Sequence, residues 1–215
     1  MSFSTMLYQM GAGMMKSLLI FVLTIIFSMP LGMIVTFGRM SKNKILKNIV
    51  KFYISVVRGT PLMLQLLVIF YGPFYLFKAN IGGFRFPAVV IGFSLNYAAY
   101  FAEIYRSGIE SIPVGQYEAA NILGYSKQQT FMRIILPQMV KRILPTITNE
   151  TITLVKDTSL AFAIAYQEMF TVGKQIAASQ TSFMPFIIAG VFYYVSNLVV
   201  AFVMEKAEDK LSYYH

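Results

Sequence analysis

Apolar residues do not alternate along this chain. They run in blocks of about twenty separated by short polar stretches, the pattern of helices that cross a bilayer. The first block covers residues 17–38 and is interrupted by Ser28, Pro30 and Gly32. A second, at 56–77, is led in by Arg58-Gly59-Thr60-Pro61. Proline fits the first turn of a helix because its missing N–H has no intrahelical partner there, so this tetrapeptide marks a helix start. The Asn80-Ile81-Gly82-Gly83 turn follows, then a third block at 87–107. A fourth crossing is placed at 143–166, although it holds Glu150, Lys156 and Asp157, and a last one at 183–204. Residues 167–182 read as an outer loop or lying helix, and 205–215 as a short charged tail.

Composition agrees with a membrane solvent. The 215 residues are 57% hydrophobic and 13% charged, about half the charge of a soluble domain, and the mean hydropathy is +0.62. At about 20 apolar residues per crossing, the length allows about five spans and no larger soluble domain. The expectation is therefore an all-α membrane protein with a single domain over 1–215. Residues 1–13 hold no charged side chain and the first apolar block is long, so it reads as a retained span rather than a cleaved signal.

Between 39 and 51 the chain carries Arg39, Lys42, Lys44, Lys47 and Lys51 with no acidic residue among them, the mark of a cytoplasmic loop. That loop puts the amino terminus outside and, after about five crossings, the carboxyl terminus inside. The formal net charge of +9 is read in the same way, as a topology signal and not as a nucleic-acid surface.

Several chemistries are excluded. There is no cysteine, and one histidine, His215, is the last residue, so thiolate sites, two-histidine metal motifs and a Ser-His-Asp triad cannot be built. The methionines are scattered through all the spans, which argues against a methionine-lined metal path. The expectation is no metal and no enzyme. No internal repeat is visible, which weakens a carrier built from inverted repeats.

Polar groups inside spans are costly and face a cavity, a partner or another helix. Asn96, Tyr100 and Glu103 recur at intervals of four and three on one face of the third block, and Thr146, Asn149, Glu150, Thr153 and Asp157 form a similar stripe in the fourth. For Glu103 two readings stand level: a counter-charge to a substrate ammonium, or an ion pair with Arg106 at i+3. Glu150 reads as an interhelical or interfacial contact. Lys156-Asp157-Thr158-Ser159 places three oxygen-bearing side chains where a helix could break and line a cavity, against the alternative of an ordinary cap at the outer surface. Gln65 is a weaker candidate, as often interhelical glue as a ligand contact.

Glu118-Ala119-Ala120 is followed after three residues by Gly124, and nine residues later by Ile134-Ile135-Leu136-Pro137. Residues 116–130 are mixed and polar, and Gly124 can stop a helix, so two short helices joined near it are expected. The spacing resembles the cytoplasmic coupling loop of ABC importer permeases. With Arg58-Gly59-Thr60-Pro61, the run from Asn96 to Arg106, and Lys156-Asp157-Thr158-Ser159-Leu160, the whole chain resembles the polar amino-acid permeases, the family of histidine, glutamine, arginine and cystine uptake systems.

The resemblance implies a type I importer subunit of about five spans in the bacterial cytoplasmic membrane, its coupling loop, at about 110–137, lying between spans three and four. It implies two ATPase subunits that bind ATP and Mg²⁺, a second permease subunit, identical or homologous, and an extracytoplasmic solute-binding protein. This chain has no G-x-x-x-x-G-K-[ST] phosphate loop of its own. The coupling role falls on Glu118, Ala119, Ala120 and Gly124, and Glu103, Asp157, Thr158, Ser159, Asn96, Tyr100 and Gln65 are the substrate candidates. The alternative is an amino-acid carrier or channel subunit that runs without ATP.

Overall fold

The computed structural model describes residues 1–212, and the described elements are all helical; His215 lies outside them. The first helix, α1 (Phe3–Arg39), has 37 residues. At 1.5 Å per residue it is about 55 Å long, well beyond a hydrocarbon core of about 30 Å. It begins fourteen residues before the apolar block, because Met6, Met10 and Met14 bury themselves against Met169, Ile176 and Ile188. Those partners belong to α8 (Met169–Gln180) and α9 (Met184–Ser212). Tertiary packing of this kind leaves no trace in local hydropathy.

The stretch expected as a loop at 39–51 is mostly helix. Asn43 accepts from the N–H groups of Ile45 (2.9 Å) and Leu46 (3.3 Å), which caps α2 (Lys44–Gly59). The lysines that follow are good helix formers. The second apolar block does not run straight. It breaks at Thr60-Pro61, and α2 meets α3 (Leu62–Phe77) at a bend of 111°. Beyond the Asn80-Ile81-Gly82-Gly83 turn come α4 (Arg85–Glu110), α5 (Val114–Ile122) and α6 (Lys127–Thr130). A π-helical turn over Phe131–Ile135 leads into α7 (Leu136–Asp157), which tightens into a 3₁₀ helix over Thr158–Ile164.

Among the described residues three helices, α1, α4 and α9, are long and apolar enough to cross a membrane, or four spans if α2 and α3 count as one broken crossing. The fourth expected crossing is the polar one. Lys141, Arg142, Glu150, Lys156 and Asp157 keep α7 out of that set, although its helix forms.

The centre of the fold is the contact of α1 with α4. Ser17, Thr24, Ser28, Gly32 and Thr36 are all buried along one stripe of α1. In a bilayer helices gain no hydrophobic energy from meeting, so close approach of small residues supplies the van der Waals contact instead. At Gly32 an added Cβ would stand 2.9 Å from Phe101 Cβ and 3.2 Å from the Ala98 carbonyl. One turn on, the Thr36 hydroxyl lies 2.7 Å from the Gly32 carbonyl and 3.0 Å from that of Ala102, a shared bond that stitches the two helices.

Glu168 holds the other end. It is fully buried and accepts from Phe170 N–H (2.7 Å), Thr171 N–H (2.7 Å), the Thr171 hydroxyl (2.8 Å), Ser17 (3.3 Å) and Tyr193 (3.2 Å). It caps α8 and ties α1 and α9 to that cap.

Gly32→Val would force a branched side chain between two backbones that cannot part cheaply. A loss of about 1–3 kcal/mol is expected, read as a lower unfolding temperature of the detergent-solubilised protein, whereas Gly11→Val, with open space at its Cβ position, should change little.

Candidate functional site

The polar stripes of α4 and α7 do meet. Between them, closed on one side by Arg58 at the end of α2, lies a cleft of about 420 Å³ lined by Arg58, Tyr100, Glu103, Thr146 and Glu150 among others. Its floor is set by another glycine: a Cβ on Gly108 would stand 2.3 Å from Ile143 Cγ2, so α4 and α7 can only approach this closely because none is there.

Charge in the cleft is sorted by level. Glu103 is bound by Arg106 at 2.7 Å and Arg39 at 3.6 Å, and Arg106 also holds Glu110 at 2.5 Å. This cluster is neutral within itself, and the i+3 pair read from the sequence is formed. One turn higher the Arg58 guanidinium stacks over the Tyr100 ring at 5.2 Å, a cation–π contact that leaves its donors free at the rim. Beyond it stand the carboxylates of Glu150 and Asp157, without an ion-pair partner among the described residues. Asp157 accepts a 2.7 Å bond from the Tyr97 hydroxyl.

The other sequence candidates fall elsewhere. Asn96 is buried and donates to Gln65 Oε1 at 2.9 Å. Gln65 Nε2 in turn reaches the carbonyls of Val57 (2.8 Å) and Thr60 (3.0 Å) and the Thr60 hydroxyl (2.9 Å). This pair satisfies the backbone freed where α2 breaks from α3, as a membrane interior demands. The hydroxyls of Thr158 and Ser159 donate back to Val155 and Lys156, each at 2.8 Å. Tyr97 and Arg58 were not among the candidates. Tyr97 sits i+3 from Tyr100, and Arg58 was legible only as part of a helix start.

On the far side of the Glu103 cluster, α5 ends as the sequence chemistry suggests. Gly124 takes φ +74°, its N–H bonds to Asn121 and that of Tyr125 to Ala120, the paired bonds of a Schellman close. Ser126 and Gln129 then cap α6 reciprocally. Ala120 is turned inward and buried, while Glu118 and Ala119 are exposed. Val114 (69%), Ile122 (85%) and Leu123 (72%) stand bare on the same short helix and its end. Gln138 of α7 donates to Gln116 of α5 at 3.2 Å, and Arg142 of α7 donates to the carbonyl and hydroxyl of Ser111, the residue that ends α4.

Residues 28–213 match the family described as binding-protein-dependent transport system inner membrane component. The chain belongs to that family. As a member it is a multi-pass inner-membrane permease subunit, not an ATPase, and works with separate ATPase and binding-protein partners. Similar permeases include the L-cystine transport system permease protein TcyB of Bacillus subtilis, 38% identical over 208 residues that cover 95% of this chain and 87% of the relative. The arginine transport system permease protein ArtQ of the same organism is 38% identical over 93% of this chain and 90% of its own length. Among solved permease structures, a chain from an amino acid ABC transporter crystallised with histidines superposes with a TM-score of 0.86 at 31% identity, covering 98% of this chain and 99% of that one.

The Tyr97–Asp157 bond joins α4 to the end of α7. A double-mutant cycle of Tyr97→Phe and Asp157→Asn, read on the thermal stability of the solubilised protein, should give a coupling of about 1.5–3 kcal/mol, as for a hydrogen bond to a charged group. Additive losses would mean that the two side chains do not act on each other.

Proposed function

We propose that this chain is the permease subunit of an ABC importer for a polar amino acid, that the cleft between α4 and α7 is its substrate path, and that α5 is its ATPase-coupling helix. The observation that carries the reading is the mechanical continuity of one element. The end of α7 near α5 is fastened to that exposed helix through Gln116 and to the end of α4 just before it through Ser111, and its far end carries Glu150 and Asp157 beside Arg58 and Tyr97. A push on α5 is therefore a displacement of the carboxylates.

The charge pattern supports the substrate class. A free amino acid presents one carboxylate and one ammonium; Arg58 offers the complement of the first, Glu150 and Asp157 that of the second. The relatives transport cystine and arginine by name, and others are named for glutamine. Glu103, already neutralised, acts as a strut between α1 and α4 rather than as a ligand, and Asn96, Gln65, Thr158 and Ser159 stay bonded to one another or to backbone outside the cleft lining.

In this reading the amino terminus faces outside, and the lysine-rich start of α2, the arginines of the Glu103 cluster and α5 face the cytoplasm. The bare Val114, Ile122 and Leu123 seat in a groove of the ATPase, with Glu118 as a charged anchor and Gly124 closing the helix. ATP and Mg²⁺ bind to two such ATPases, a second permease subunit, identical or homologous, completes the path, and a solute-binding protein delivers the amino acid from outside. ATP-driven closure favours one arrangement of α7 over the other, and substrate biases that equilibrium only through its different affinity for the two.

In the reconstituted complex Asp157→Ala should lower substrate-stimulated ATP hydrolysis on the order of tenfold, the loss of one contact of about 1.4 kcal/mol, with assembly intact. Normal stimulation would remove Asp157 from the path. Ala119→Arg, on the exposed face of α5, should abolish stimulation by the loaded binding protein while the permease stays folded; full stimulation in that variant would remove α5 from the ATPase contact.

A further inference from the structure

The helix α2 has three faces, and one has no partner in this chain. Val50, Tyr53, Ile54 and Val57 pack inward, with Ile54 against Ala99 and Ala102 of α4, and the Tyr53 hydroxyl donates to the Leu95 carbonyl at 2.5 Å. Ile45 (73% exposed), Ile49 (61%), Phe52 (71%) and Val56 (43%) follow at i, i+4, i+7 and i+11 and form a continuous bare ridge. Lys44, Lys47 and Lys51 recur at three and four on the remaining side, all exposed.

The helix starts beside the end of α1. Val50 sits against Gly38 near the end of α1, with its Cγ2 2.9 Å from where a Cβ would be. Eight residues later, Arg58 is over Tyr100, close to the Glu103 that pairs with Arg39 at that same end of α1. Leu46 and Val50 both approach Gly38, so the lysine-bearing turns of α2 lie at the end of α1, while Ile54 reaches Ala99 and Tyr53 reaches Leu95 farther along α4, and α3 leaves the helix at 111°. A helix that starts at the end of a span, apolar on one side and lysine-bearing on the next, has the build of an interfacial helix.

We propose that α2 lies in the membrane interface, its ridge among the acyl chains and its lysine row on the phosphates of anionic phospholipids. Charge selects this occupant. The first carboxylate side chain in the sequence is Glu103, and among the described residues Lys42, Lys44, Lys47 and Lys51 form no ion pair. Lysines at the edge of an apolar ridge extend their stems along it and deliver the ammonium to the headgroup level. A protein surface covering the ridge would have to bring both an apolar groove and a matching acidic row.

The test uses the full complex in vesicles of phosphatidylcholine alone or mixed about three to one with phosphatidylglycerol. Both leaflets carry the same lipid, so the result does not depend on which way the chain is inserted, nor on the substrate path proposed above. Phosphatidylglycerol should raise ATP-driven transport several-fold, and the combined Lys44→Gln, Lys47→Gln, Lys51→Gln variant should lose most of that rise. Independently, Phe52→Cys, the one cysteine in this chain, carrying a bimane fluorophore should be quenched by brominated phosphatidylcholine. Equal rates in both lipids, an undiminished rise in the triple variant, or a fluorophore shielded by a second permease or an ATPase would each overturn the proposal.

Discussion

Everything in this fold hangs on how closely α1 approaches α4. Lipid offers apolar side chains as good an environment as another helix does, so two spans stay together only where their surfaces fit better than either fits lipid. Gly32 against Phe101 and Ala98, continued by the Thr36 hydroxyl on the Ala102 carbonyl, gives that fit over the carboxyl-terminal half of α1. Once α4 is fixed, its other faces set the places of α2, α3 and α7. Gly92 admits Leu66 of α3, and Gly108 admits Ile143 of α7. The cleft exists because the same helix is smooth on one side and bears Tyr100 and Glu103 on another.

The apolar blocks made the long helices legible, because hydropathy reports the solvent and the solvent here is lipid. Their ends were less so. The extra turns of α1 are held by the packing of its own methionines on Met169 and Ile176 of α8 and Ile188 of α9, contacts more than 150 residues away in sequence. The helical nature of residues 44–59 was hidden behind lysines that looked like a loop signal, although Asn43 in front of them is a capping residue with a local reason to start a helix. The break at Thr60-Pro61 was marked by its proline; the angle was not, since it depends on where α4 receives Tyr53 and Gln65.

The site was legible in part. The intervals in the third block put Tyr100 and Glu103 on the right face, and the Arg106 partner followed from helical spacing alone. Tyr97 and Arg58 were not legible, because Tyr97 owes its place to a partner sixty residues away, Asp157, and Arg58 is brought in by a helix bent into place. Thr158 and Ser159 looked like free oxygen donors to a cavity, yet a hydroxyl in a tightening helix finds the carbonyl of the preceding turn before it finds a ligand. Gly124, by contrast, gave its role away through chemistry that is wholly local.

The Gln65 amide has a consequence for what can replace it. Its nitrogen faces three oxygens, the carbonyls of Val57 and Thr60 and the Thr60 hydroxyl, and its oxygen faces the Asn96 amide. Glutamate has the same shape but no donor when ionised. An ionised carboxylate at position 65 would face two carbonyl oxygens where the amide nitrogen now donates. The join of α2 to α3 therefore tolerates an acid there only if the acid keeps its proton.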